Sequence, residues 1–125
     1  VLGGKVLLMG ITGSDSPREV LMEMLNTKKI NTEGMLIEND KPTTLKMRIM
    51  GRSQQLLRVD YEKRTHVHPD IEKKLITFLS KTIGSVDAII VSDYAKGVIT
   101  KNLMDALLTE AKKQKNFFSL SLSED

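Results

Sequence analysis

Two short apolar runs, inside KVLLMG at residues 5–10 and DAIIVS at 87–92, constrain this chain more than any other feature. A strand without polar alternation must be covered on both faces, as strands are in a parallel sheet flanked by helices. Each run leads through a loop into apolar residues at helical spacing. After ITGSDSP come Val20, Leu21, Met24 and Leu25 as one stripe, with Pro17 suited to a first helical turn and Ser16 to its N-cap. After DYAKG, Thr100 is placed to cap a helix carrying Leu103, Met104, Leu107, Leu108 and Ala111. His68-Pro69 opens a further helix, with Ile71, Leu75, Ile76, Phe78 and Leu79 on its inner face and Gly84 at its end. FFSLSLS at 117–123 reads as a last extended piece. The order strand, helix, hairpin, helix, strand, helix, strand predicts an α/β fold with a mainly parallel sheet covered by helices.

The stretch from residue 41 to 62, KPTTLKMRIMGRSQQLLRVDYE, breaks that rhythm. It follows a strand-like GMLIEN and the turn NDKP, and it reads as a hairpin with Gly51-Arg52-Ser53 as its tip. Leu45, Met47 and Ile49 alternate with Thr44, Lys46 and Arg48; on the return, Leu57 and Val59 alternate with Arg58 and Asp60. A three-residue tip pairs even positions with even and sets Lys46 opposite Arg58. Like charges facing across a strand pair are destabilising, so an anion or a local carboxylate such as Asp60 is expected to offset them. Parity lets only one of Gln54 and Gln55 share the cationic face, and it selects Gln54. The bland alternative is a solvated charged face with Asp60 neutralising one cation.

The chain's 125 residues allow one small core, and the absence of cysteine excludes disulfide scaffolds and thiolate zinc sites. A formal charge of +3 permits an anionic ligand without indicating nucleic acid, and the apolar runs are too short for a membrane span. With no leader at the start, a cytoplasmic protein is the expectation. His66 and His68 make an H-x-H pair without a third ligand in view, so no metal site is expected. In open parallel sheets, ligands sit beyond the carboxyl ends of the strands, where TGSD and SDYAKG both fall. Asp93 and Lys96 are thus candidates for an active-site loop; alternatively Asp93 caps the turn before Gly97 and Lys96 is solvated. Gly10 and Gly13 suit a tight strand-to-loop turn rather than a phosphate cradle, and Asp15 fits either a ligand contact or a helix start.

Three segments, GKVLLMGITGSD, PTTLKMRIMGRSQQLLRVDYE and VDAIIVSDYAKGVIT, resemble the ribokinase-like (PfkB) carbohydrate kinases in order and spacing. QQLLRVD and SDYAKG are similar to one subgroup, the bacterial D-glycero-β-D-manno-heptose-7-phosphate kinases that occur as half of bifunctional ADP-heptose synthases. The resemblance implies a three-layer α/β/α fold with a small β lid over the sugar site, residues 34–62 forming the lid excursion of a single kinase domain. It further implies ATP and Mg2+ as cofactors and phosphorylation of the 1-hydroxyl of a heptose 7-phosphate on the way to ADP-heptose and the lipopolysaccharide core. In that reading Lys46, Arg48, Gln54, Arg58 and Asp60 contact the substrate, the cations receiving its phosphate, and Asp93 and Lys96 belong to the phosphate or active-site loop.

The same resemblance makes this an internal stretch of a kinase. The family's first strand and its glycine-rich sugar segment would precede Val1, and its Gly-Ala-Gly-Asp segment with the catalytic base would follow Asp125. No catalytic residue is therefore assigned within the chain, and the 125 residues alone are expected to be inactive. Ser121, Leu122 and Ser123 stand where relatives usually carry Asp-Pro-Lys. A homodimer through the lid is implied, with no nucleic-acid or membrane partner. The alternatives are a non-catalytic basic module that binds RNA or another anion, and an inactive oligomerisation fragment. Sparse aromatics count against RNA, Tyr61 alone lying near the basic face.

Overall fold

The computed structural model describes residues 3–122. The elements run β1 (Leu7–Thr12), α1 (Ser16–Thr27), β2 (Asn31–Ile37), β3 (Leu45–Gly51), β4 (Gln54–Tyr61), α2 (Pro69–Thr82), a 3-10 turn (Ile83–Ser85), β5 (Ala88–Asp93), α3 (Lys101–Gln114) and β6 (Phe117–Leu122). The class is α/β, as the alternation of apolar strands and amphipathic helices requires. The chain divides into two compact units, residues 1–63 and 64–125.

In the first unit β1 and β2 pair in parallel, joined by α1, and β3 and β4 form an antiparallel ribbon. The segment 34–62, expected as one excursion, divides here: residues 34–37 belong to β2 beside β1, and the ribbon begins at Leu45. Asp15, not Ser16, caps α1; its Oδ1 accepts from Arg18 N at 3.1 Å, and Ser16 is the first helical residue. A carboxylate accepts this bond more strongly than a hydroxyl and also suits the positive end of the helix dipole. The α1 stripe is only partly covered, with Leu21 and Leu25 half-buried and Val20 and Met24 exposed. A two-stranded sheet is too narrow to cover it.

In the second unit β5 and β6 pair in parallel from Ala88↔Phe117 to Asp93↔Leu122, and α2 packs on α3. Its core is Val67, Leu75, Leu79, Ile83, Val91, Leu103, Leu107 and Ala111. The inner-face residues read from periodicity in α2 and α3 supply five of these eight. Burying a leucine as fully as Leu75 or Leu103 contributes about 2–3 kcal/mol. Thr100 caps α3 as expected, accepting from Leu103 N at 3.1 Å. His68 caps α2 through Nδ1, and α2 ends by tightening into the 3-10 turn that contains Gly84. The expected last extended piece is β6; Ser123 lies outside the described residues.

Candidate functional site

The ribbon's register decides which cations meet. Leu45 pairs with Tyr61, Lys46 with Asp60, Met47 with Val59, Arg48 with Arg58 and Ile49 with Leu57. Even positions face even positions, as expected, but Lys46 lies opposite Asp60 rather than Arg58. The like-charged pair is Arg48 and Arg58. The correction comes from the tip. Only Arg52 and Ser53 lie beyond the last pair, Gly51↔Gln54, and Arg52 takes a positive φ of 51°. A two-residue tip alone would pair odd with even; the bulge between Met50↔Gln55 and Ile49↔Leu57 inserts Leu56 and restores the parity. The same bulge moves Gln54, expected beside the cations, to a place opposite Gly51, in phase with Leu45, Met47 and Ile49. Gln55, opposite Met50, takes the cationic face instead. Tyr61 pairs with Leu45 and so belongs to the apolar face.

Asp60 serves two of the three cations. Its Oδ2 lies 3.2 Å from Arg58 Nη2 and 4.0 Å from Lys46 Nζ. The Arg58 side chain keeps half its exposure, 50%, whereas that of Asp60 keeps 21%. Arg48 has no ion pair among the described residues. The face therefore presents one cation free of a carboxylate directly across from another held at an angle by Asp60. A tetrahedral oxyanion bridging the two guanidiniums would offset their repulsion through charge-assisted hydrogen bonds.

Below the ribbon's first strand, the loop after β1 is locked to the segment that leads into β3. Gly13 N donates to Thr43 Oγ1 at 3.0 Å, and Thr43 N donates to Asp15 Oδ2 at 2.8 Å. The approach is so close that a Cβ on Gly13 would stand 2.5 Å from Lys41 O and 2.8 Å from Thr43 N. Gly13 thus serves a close approach of residues 41–43, a reason for glycine other than the tight turn expected from the sequence. The hydrogen bonds from Thr43, through hydroxyl and backbone, hold the Asp15 carboxyl below the usual carboxylate range. Asp15 is spent on these contacts, so the helix-start reading describes it and the ligand reading does not. Lys41 lies buried beside this lock, and burial pushes its ammonium down from its ordinary value.

In the second unit, a cavity of about 370 Å3 is lined by Arg64, Thr65, His66, Asp93, Ala95, Gly97 and Ile99. The loop after β5 makes one wall. Asp93 Oδ1 accepts from Ala95 N at 2.9 Å, and Ala95 takes a positive φ of 53°, an uncommon conformation for a residue with a Cβ. Val67 N donates to Gly97 O at 3.0 Å, and Gly97, at φ 82°, lies so near Thr65 O that any side chain there would overlap it. Asp93 therefore both turns the loop and borders the cavity. Lys96 is half-buried, has an interaction of its own and is not among the lining residues.

Beside this cavity Glu72 ties α2 to the start of α3. It accepts from Thr100 Oγ1 and, at 3.2 Å, from Asn102 Nδ2. Thr100's bond, then Asn102's, then the charge of His66 hold its carboxyl below the usual range.

Sequence reasoning missed Arg64, Thr65 and His66. The basic KRTHVH run after the hairpin is the available signal, of which the H-x-H pair captures only a part. The structure gives the two histidines separate tasks, His68 as a helix cap and His66 in a cavity wall. Among the described residues no three His, Asp or Glu side chains converge on a metal position, and no helix is long and apolar enough to cross a membrane.

Residues 1–124 match the sequence profile of the pfkB family carbohydrate kinases. Bifunctional protein HldE of Helicobacter pylori strain J99 is 38% identical over 112 residues, which cover 90% of this chain and 24% of that protein. Bifunctional protein HldE of Desulfatibacillum aliphaticivorans is 36% identical over 106 residues, covering 85% of this chain and 22% of its own length. The chain thus spans about a quarter of the length of these curated relatives. Among solved structures, a candidate 1-phosphofructokinase from Thermotoga maritima superposes with a TM-score of 0.70 at 13% identity, covering 98% of this chain and 38% of that one. A candidate sugar kinase from Clostridium perfringens superposes with a TM-score of 0.66 at 12% identity, covering 97% and 35%. At such low identity the likeness concerns the fold alone.

Proposed function

The chain belongs to the pfkB family of carbohydrate kinases, and from that premise we propose that it forms part of an ATP-dependent kinase acting on the 1-hydroxyl of D-glycero-D-manno-heptose 7-phosphate. The observation that carries the substrate is the Arg48–Arg58 pair. Two guanidiniums brought opposite each other on an exposed ribbon, with one carboxylate nearby, suit a ligand that already bears a phosphate. The resemblance of QQLLRVD and SDYAKG to the heptose-phosphate kinases supports the sugar, as does the similarity to HldE proteins.

In this reading Lys46, Arg48 and Arg58 neutralise and orient the substrate's phosphate, and Asp60 fixes the angle of Arg58. Gln55, rather than Gln54, is the amide positioned to reach a sugar hydroxyl. Asp93 borders the cavity from the end of β5. ATP with magnesium supplies the phosphoryl group, and catalysis is chiefly positioning and charge neutralisation. The described residues offer no cluster fit for magnesium, so no metal ligand is assigned to this chain. The opposite ribbon face, where Leu45, Met47, Ile49 and Leu57 are all exposed, supports a homodimer through the ribbon.

Calorimetric titration of the intact protein with heptose 7-phosphate and with unphosphorylated heptose tests the reading. The phosphate should confer the affinity, and Arg58→Ala or Lys46→Ala should each weaken binding about tenfold or more. Equal affinity for the two sugars, or variants that bind as the parent does, would overturn it.

A further inference from the structure

A ribbon that carries a ligand site is useful only if its root is fixed, and this ribbon is fastened on both strands. At its entry Thr43, two residues before β3, exchanges a pair of hydrogen bonds with the loop after β1: it accepts from Gly13 N at 3.0 Å and donates from its own N to Asp15 Oδ2 at 2.8 Å. At its exit Lys63, just past β4, donates from Nζ to Asp40 O at 3.0 Å. The segment leading from β2 toward the ribbon is anchored to the end of β1, just before that loop, since Glu38 N donates to Thr12 O at 2.9 Å. Thr12 and Thr43 are both buried, at 2% and 7% exposure, and the bond from Gly13 N to Thr43 Oγ1 is shielded from competing water, that from Thr43 N to Asp15 partly so, while the Lys63 bond lies at the surface.

The Asp15 side chain joins the helix to the ribbon's root. One carboxylate oxygen holds the first turn of α1 through Arg18 N, and the other holds the ribbon's root through Thr43 N. A helix cap alone needs only one acceptor, and asparagine caps as well as aspartate. The second oxygen is what this position adds.

We propose that Asp15 is a positioning residue that, through Thr43, sets the direction in which the β3–β4 ribbon leaves the β1–β2 sheet and so aims Lys46, Arg48 and Arg58 at the substrate. The inference rests on the ribbon being the sugar-phosphate site. It assigns Asp15 no contact with substrate. A small rotation at Thr43 is carried along a stiff two-stranded ribbon, so a lost bond at the root displaces the cations more than it displaces the root itself.

Asp15→Asn is the discriminating variant, because it keeps the shape and the cap but turns an NH2 toward one of the two backbone donors. Thr43→Val removes the acceptor for Gly13 N, and Thr43→Ser restores it. Steady-state kinetics of the intact enzyme should show the KM for sugar phosphate raised about tenfold in Asp15→Asn and Thr43→Val, with the KM for ATP within about twofold of the parent. Thr43→Ser should return the sugar KM to the parent value. Equal rises in both KM values, an unchanged sugar KM in Asp15→Asn, or a Thr43→Ser as impaired as Thr43→Val would each overturn the proposal. Arg58→Ala run alongside separates the two levels. If it raises the sugar KM and Asp15→Asn does not, the positioning role falls alone. If Arg58→Ala leaves that KM unchanged, the ribbon site falls and takes the positioning role with it.

Discussion

Arg48 and Arg58 face each other directly across the β3–β4 ribbon, and Asp60 pairs with Arg58 but not with Arg48. Opposed like charges cost a sheet about 0.2–1 kcal/mol. Arg48→Ala should therefore leave the ligand-free protein as stable as the parent or slightly more so, while weakening its affinity for sugar phosphate. Thermal denaturation with and without the ligand checks both halves. A variant less stable without ligand and unchanged in affinity would give Arg48 a packing role instead.

The lowered carboxyl of Asp15 makes the lock between the loop after β1 and Thr43 sensitive to acid. Because the folded value is depressed, the carboxylate's contribution is fully present above the unfolded value near 3.8 and is lost as pH falls through the folded one. Denaturation of the parent and Asp15→Asn across pH 2–7 should show a stability gap that is constant near neutrality and closes below about pH 4. A gap that persists unchanged at the acid end would mean that the charge of Asp15 contributes nothing.

Thr100 caps α3 and donates to Glu72, so one hydroxyl serves two contacts. Thr100→Ala should destabilise the protein by about 1–2 kcal/mol, whereas Thr100→Ser should recover most of it. The shift of the denaturant midpoint at constant slope measures this.

At Gly97 a side chain would meet Thr65 O, and the backbone already stands at φ 82°. Gly97→Ala should lower stability by about 1–3 kcal/mol or more through strain and displacement of residues 65–67. It should also break the bond from Val67 N to Gly97 O, which faster amide exchange at Val67 would report.

Much of the fold was legible because it rests on local periodicity. The 3.6-residue spacing in α2 and α3 picked out Leu75, Leu79, Leu103, Leu107 and Ala111, and the structure buries all five. The cap at Thr100 and the even-with-even phase of the ribbon were equally readable. The ribbon's charge pairing was not, because a two-residue tip with a bulge at Leu56 and a three-residue tip give the same parity and differ by two positions in register. That difference moved Lys46 onto Asp60 and exchanged Gln54 for Gln55.

The candidate site shows the same division more sharply. Residue types and alternation determined by themselves that this chain is α/β, that a ribbon interrupts it, and that cations gather on one ribbon face. Only the tertiary structure decided that Arg48 opposes Arg58, that Thr43 reaches back 28 residues to Asp15, and that Thr65 presses on Gly97. Those contacts join residues distant in sequence, whereas periodicity records only which way a side chain points along its own element.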